Sequence, residues 1–79
     1  MELKQYQGAL EAILFAHGEP IGTDRLAQAL ELEPEVVERL LLNLEKQLEK
    51  ADRGLVLLRL EDRWQLATKN EYSTYVKRV

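Results

Sequence analysis

The longest helical pattern of apolar and polar positions runs from Pro34 to Lys50. Pro34 suits the first position of a helix, where the missing N–H of proline costs no hydrogen bond. The apolar residues recur at the helical period in a wide stripe, which predicts a helix packed against two neighbours. Leu42 alone lies far outside this stripe, among charged side chains. The stripe comprises Val36, Val37, Leu40, Leu41, Leu44 and Leu48.

Two shorter helical patterns precede this one. Residues 3–17 carry apolar residues at helical spacing, and Gly18 and Pro20 then end the helix. Ile21 is an isolated apolar residue that predicts a short strand or an anchor beneath the turn. A second, short helix follows, with an acidic residue favourable in its first turn. Its candidate N-caps are Gly22 and Thr23. Together with the long helix it forms a helix-turn-helix pattern.

Phe15 points away from the apolar face of the first helix, on a line with Gly8 and Ala12. Because Gly8 and Ala12 are small, they leave room for another backbone to approach. Two interpretations stay open. Phe15 packs on a second neighbour within the same domain, or it belongs to a surface that contacts a partner.

The pattern changes after a turn predicted at residues 51–54. Residues 55–60 favour a strand, and residues 64–68 alternate between apolar and polar positions, which together predict a β-hairpin. Residues 72–79 show helical spacing again, with Asn70 as a possible cap. The order predicts an α+β protein, mostly α: a single winged-helix domain over residues 1–79, with three helices, a hairpin wing and a short C-terminal helix.

The faces of the hairpin depend on the length of its loop. A three-residue loop at 61–63 pairs Leu60 with Trp64 and directs Leu55 and Leu57 away from the helices. Because consecutive leucines fit either phase, a bulge is an alternative that exchanges some of these positions. If the loop has three residues, the chain exposes more apolar side chains than a monomer needs, which indicates a protein interface. The candidate interface residues are Phe15, Leu42, Leu55 and Leu57.

Composition argues against catalysis and against a membrane protein. The 79 residues include no cysteine, which excludes disulfides and thiolate metal sites and fits a reducing cytoplasm. No apolar run approaches the roughly 20 residues of a membrane span. The single histidine, His17, ends the first helix, where a cap is more usual than a catalyst, and Ser73 has no histidine near it in sequence. We therefore predict no catalytic, cofactor-binding or metal-binding residues.

Charge argues against specific DNA recognition. The net charge is −3, and acidic side chains outnumber basic ones in residues 1–52. In a helix-turn-helix the second helix enters the major groove, and affinity depends on Lys and Arg at phosphates. Here the corresponding helix begins with Glu33, Glu35 and Glu38. A winged-helix DNA-binding transcription regulator therefore remains only the alternative function. The wing residues available for weak phosphate contacts are Arg53, Arg59, Arg63 and Lys69.

The segment at residues 11–21, EAILFAHGEPI, resembles the segregation and condensation protein B family, which reads much like E-A-L-L-F-x-S-G-E-P-L there. His17 stands where the family often has serine. The resemblance covers nearly the whole chain. It continues through Asp24–Ala27, the long acidic helix, Asp52–Leu55, Trp64–Thr68 and Glu71–Val76.

This resemblance implies an architectural role. Members of the family have two tandem winged helices, form homodimers chiefly through the first, and bind the kleisin subunit, segregation and condensation protein A, of the SMC complex that condenses and segregates chromosomes. It implies a cytoplasmic, nucleoid-associated protein without enzymatic activity or cofactor. The chain stops at Val79, where the family continues into its second winged helix, so we expect it to be the N-terminal half of a longer protein.

Overall fold

The computed structural model describes residues 2–50 and 52–79. Met1 and Ala51 lie outside the described residues. The turn predicted at 51–54 therefore has its first position outside them. The elements follow the order of a winged helix, which confirms the predicted fold class. They are α1 (Leu3–His17), β1 (Ile21–Gly22), α2 (Thr23–Leu30), α3 (Pro34–Leu48), β2 (Leu55–Leu60), β3 (Arg63–Thr68), a 3₁₀ turn (Asn70–Tyr72) and α4 (Ser73–Lys77).

The helix boundaries follow local chemistry. Gly18 ends α1 in the left-handed region, at φ 74°, and its N–H donates to Leu14 O, as glycine at this position favours. Gly22 is the N-cap of α2, and Pro34 opens α3. Glu31 ends α2 with a φ of 56°, a conformation that glycine would adopt at lower cost.

The sheet has three antiparallel strands in the order β1-β3-β2. The predicted short strand at Ile21 is confirmed: Ile21 pairs with Trp64 and is buried. Only two residues form β1, so only a short part of β3 has a hydrogen-bonded strand on that side. On its other side β3 pairs along all six residues with β2.

The predicted three-residue hairpin loop is wrong. The loop contains two residues, Glu61 and Asp62, so that Leu60 pairs with Arg63 and Leu57 pairs with Leu66. Because side chains alternate along a strand, this shift by one residue reverses the faces of β2 while β3 keeps its predicted faces. Glu61 adopts a φ of 62°, the positive value that a two-residue hairpin loop requires at its first position.

Two candidate interface residues therefore face the helices. Leu57 is 2% exposed and belongs to the core, and Leu55 is partly buried against it. Their predicted outward orientation is wrong, since it rested on the longer loop. In their place, Leu58 and Leu60 point away from the helices.

Trp64 is the largest fully buried side chain and lies where β1, β3 and α2 meet. Its indole N–H donates to Thr23 Oγ1 at 3.0 Å, which satisfies the polar atom of a buried ring. Within the described residues, no buried side-chain nitrogen or oxygen lacks a hydrogen-bond partner. The remainder of the core is aliphatic. It consists of Leu10, Leu14, Ile21, Leu26, Ala27, Leu30, Val37, Leu40, Leu41, Leu44, Leu48 and Leu57.

Candidate protein interface

Phe15 is the most exposed aromatic side chain described. It lies near the end of α1 and is 76% exposed, so the interpretation that it packs within its own domain is wrong. Its use in a contact with a partner remains a prediction. Exposing a phenylalanine leaves a large apolar area in water, and covering that area with a partner would be favourable by about 1.5–3 kcal/mol.

Leu42 is exposed on α3, as its position outside the apolar stripe predicted. It is 43% exposed, and the neighbouring side chains on the helix surface, Glu38 and Lys46, are exposed and charged. Leu42 therefore presents a single apolar side chain within a charged helix face.

The outward face of the hairpin carries apolar residues that the sequence analysis had directed towards the helices. Leu58 and Leu60 are 38% and 46% exposed, and Val56 beside them is partly buried. The β3 residues on this face are Arg63, Gln65 and Ala67. The signal that could have identified these residues is loop length, but no Asn-Gly or Asp-Gly pair marks the two-residue turn.

A groove separates α1 from α3. It has a volume of about 700 Å³ and is lined by Leu3, Val36 and Leu40, with Lys4 and Arg39 among its polar residues. The predicted apolar face of α1 is thus only partly in the core. Leu10 and Leu14 are buried, whereas Leu3 borders the groove and is exposed.

Gln7 connects the two helices across the groove. Its Nε2 donates to Leu40 O at 2.9 Å, and Asn43 Nδ2 donates to Gln7 Oε1 at 3.2 Å. These hydrogen bonds fix where α1 crosses α3, because side-chain amides reach only a single neighbouring turn.

Arg59, one of the wing residues considered for phosphate contacts, is engaged within the domain. Its guanidinium lies 3.7 Å from Glu38 Oε1 and 5.0 Å from the centre of the Trp64 ring. Glu35 is exposed on the same helix as Glu38, and Glu49, the C-cap of that helix, is exposed as well. The face that would enter a DNA groove is therefore predominantly acidic, as its sequence indicated.

The described residues contain no recognisable centre for metal chemistry. Over residues 2–50 and 52–79, no three His, Asp or Glu side chains lie close enough together to hold an ion. His17 is exposed in the last turn of α1. Over the same ranges, none of the helices combines the length and the apolar character needed to cross a membrane.

Comparison with known proteins identifies close relatives. The chain is 35% identical over 80 residues to segregation and condensation protein B of Oceanobacillus iheyensis, a match that covers 100% of this chain and 42% of the relative. It is 39% identical over 74 residues to the protein of that name from Carboxydothermus hydrogenoformans, a match that covers 92% of this chain and 40% of the relative. The chain thus spans about two fifths of the length of these curated relatives.

Solved structures share the fold. A crystal structure described as a dimer of the ScpB N-terminal domain complexed with ScpA peptide has a TM-score of 0.92 and 30% identity, covering 100% of this chain and 93% of that one. ScpB from Mycobacterium tuberculosis has a TM-score of 0.91 and 26% identity, covering 99% and 49%. The sequence profile of the family described as segregation and condensation complex subunit ScpB matches residues 8–79, and the chain belongs to this family.

Proposed function

We propose that this protein is a non-catalytic subunit of an SMC–kleisin condensin complex and acts in chromosome condensation and segregation. It would act by forming a homodimer and by binding the kleisin, segregation and condensation protein A, and through it SMC. The observation that carries this proposal is the TM-score of 0.92 to a winged-helix domain crystallised as a dimer with ScpA peptide. That likeness extends over the whole chain and is accompanied by 30% identity.

The proposed role places the chain as the N-terminal winged helix of a two-domain protein that works in the cytoplasm, at the nucleoid. Support for the domain assignment comes from the 42% of the Oceanobacillus relative that the chain spans. It also comes from the 93% of the solved N-terminal domain that aligns with it.

A subunit that both dimerises and binds a kleisin needs two contact surfaces. We propose Phe15 as a contact residue on the dimer surface and Leu42 as a contact residue on the kleisin surface. Phe15 lies eight residues beyond Gln7, about 12 Å along the axis of α1. Gln7 contacts α3 at Leu40 and Asn43, next to Leu42 in sequence. Phe15 therefore lies well away from the point where α1 meets the Leu42 region.

The proposal leaves DNA binding and catalysis out of the role of this domain. Specific readout is disfavoured because Glu35 and Glu38 are exposed where a recognition helix would meet phosphates. An enzymatic role has no support from the His17 side chain, which is exposed with no other histidine in the chain to accompany it.

Sedimentation velocity over a concentration series, with and without a labelled duplex at low salt, tests this function. We expect a species near twice the 9.2 kDa chain whose sedimentation ignores the duplex. A monomer that co-sediments with the duplex would contradict the proposal and favour the DNA-binding regulator. A monomer that ignores the duplex would contradict homodimerisation through this domain.

A further inference from the structure

We propose that a second copy of this chain packs face to face on the outward side of the hairpin, a surface formed by Phe15, Pro20, Val56, Leu58 and Leu60 and named here the outer sheet surface. This inference rests on the proposed homodimer and assigns the face that forms it. The two-fold axis would pass near Leu58, so that the same residues on each copy contact one another.

Both faces of β2 carry leucines, and among the described residues only those of the inner face pack beneath the helices. Leu57 and Trp64 are buried beneath the helices. An antiparallel sheet with one solvated face normally places polar residues on that face. Here β2 places Leu58 and Leu60 outward, 38% and 46% exposed, with Val56 on the same side.

The end of α1 adjoins this face. Gln65 pairs with Leu58 across the hairpin, and its Nε2 donates to Gly18 O at 3.1 Å. That hydrogen bond holds the C-terminal end of α1 beside the outward side of β3. Phe15 lies about one turn before Gly18 and is 76% exposed, so we assign it to the border of this surface.

The other end of the surface is also closed by an apolar residue. Pro20 and Leu60 line one depression, with Arg63 and the loop carboxylates of Glu61 and Asp62 at its rim. The surface therefore has an apolar centre and a charged border, the arrangement found in protein interfaces.

Face-to-face packing is favoured over pairing of the exposed β2 edges. Arg59 lies on β2, and its guanidinium is paired with Glu38 and stacked near the Trp64 ring. A charged, partner-bound side chain on an edge strand discourages addition of another strand. The outward face of β2, in contrast, carries Val56, Leu58 and Leu60 and no charged side chain, because Arg59 points towards Glu38 on α3.

The border charges suit a second copy related by a two-fold axis. Both ends of the surface carry charges of both signs. At the loop end these are Glu61 and Asp62 with Arg63. At the opposite end Lys69, whose Nζ donates to Lys50 O at 2.7 Å, lies in one depression with Glu49 and Glu71. A two-fold axis that passes near Leu58 and runs perpendicular to the strands sets the loop end of each copy against the Lys69 end of the other. Arg63 then faces Glu49 and Glu71, and Lys69 faces the loop carboxylates. A polyanion would instead be repelled by the acidic loop.

Leu58→Glu tests this surface, measured by sedimentation velocity at a concentration at which the unaltered protein is dimeric. The substitution places two unpaired carboxylates at the two-fold axis, so we expect the dimer dissociation constant to rise at least about 100-fold and the variant to sediment as a 9.2 kDa monomer. The far-ultraviolet circular dichroism should stay unchanged, because Leu58 is outside the core. Leu60→Glu, at 46% exposed, provides a second variant with the same expected outcome if the first fails to fold.

Leu42→Glu is the matched control, since Leu42 is 43% exposed and lies on α3. Because this measurement contains no kleisin, a contact residue on the kleisin surface has no partner in it, and Leu42→Glu should remain dimeric. If folded Leu58→Glu and Leu60→Glu both remain dimeric, the outer sheet surface is overturned. If Leu42→Glu is monomeric while Leu58→Glu and Leu60→Glu are dimeric, the dimer forms through α3 and not through the outer sheet surface. The proposed function would then still hold. If the unaltered protein is monomeric at all concentrations, both the outer sheet surface and the proposed homodimer are overturned.

Discussion

The two faces of the hairpin show how adjacent leucines acquire different roles. Leu57 and Leu58 are neighbours in sequence, yet Leu57 is 2% exposed and Leu58 is 38% exposed. The inner face is completed by the helices of the chain and by the hydrogen bond from Trp64 to Thr23. On β2 the outer face carries as many leucines as the inner face, but Leu58 and Leu60 both remain exposed. Hydrophobicity alone therefore does not separate folding residues from contact residues; the side of the sheet does.

Leu57→Glu should have the largest effect on stability. It places a carboxylate in the core without a partner, and we expect a loss of roughly 3–5 kcal/mol, which is a large part of the stability of so small a domain. Urea unfolding followed by circular dichroism measures the loss. Leu58→Glu is the control one residue away. At a protein concentration low enough for all variants to be monomeric, it should lose less than about 1 kcal/mol. Equal losses would contradict the observed hairpin register.

Thr23→Val should have an intermediate effect and tests the polar contact of the inner face. The substitution keeps the side-chain shape but removes the acceptor of the Trp64 N–H, which is 3.0 Å away. Leaving that buried donor unpaired should cost about 1–3 kcal/mol in urea unfolding. Thr23→Ser retains the hydroxyl and should lie much closer to the unaltered protein. If valine and serine behave alike, the hydroxyl does not stabilise the buried ring.

Glu38→Gln should have the smallest effect. The Glu38 and Arg59 side chains are 48% and 52% exposed, and their charged atoms lie 3.7 Å apart, so solvent screens the pair. We expect a change in unfolding free energy below about 0.5 kcal/mol, falling further in 0.5 M salt as screening increases. A loss above about 1 kcal/mol would indicate that this ion pair holds the hairpin to α3.

Local patterns were sufficient to predict the helices. The spacing of Val37, Leu40, Leu41, Leu44 and Leu48 repeats through several turns, so neighbouring positions agree on which face is buried, and all five are in the core. Helix ends were less well determined, since α3 ends at Leu48 rather than Lys50. Fraying and the final turn depend on a few weak contacts.

The faces of β2 could not be predicted from such a pattern. Leu57 and Leu58 are both apolar, so the strand has no alternation there, and its phase depends on the loop. Nothing in the sequence signals the positive φ of Glu61, because glycine or asparagine is the residue expected in that conformation. The exposure of the candidate interface residues was therefore predicted only in part, and their use in an interface stays a prediction. Phe15 and Leu42 are exposed as a contact residue must be, whereas Leu55 and Leu57 were exchanged with residues of the opposite face.

Thiol labelling of Leu58→Cys tests most directly whether the outer sheet surface is covered by a second copy. The chain has no cysteine of its own, so a single introduced thiol reports on one position, with Leu42→Cys as the matched control. We expect the thiol at position 58 to react at least about tenfold more slowly at concentrations where the protein is dimeric than after dilution to monomer, while position 42 reacts at one rate throughout. Equal reactivity at position 58 in dimer and monomer would contradict the assignment of this face to the dimer.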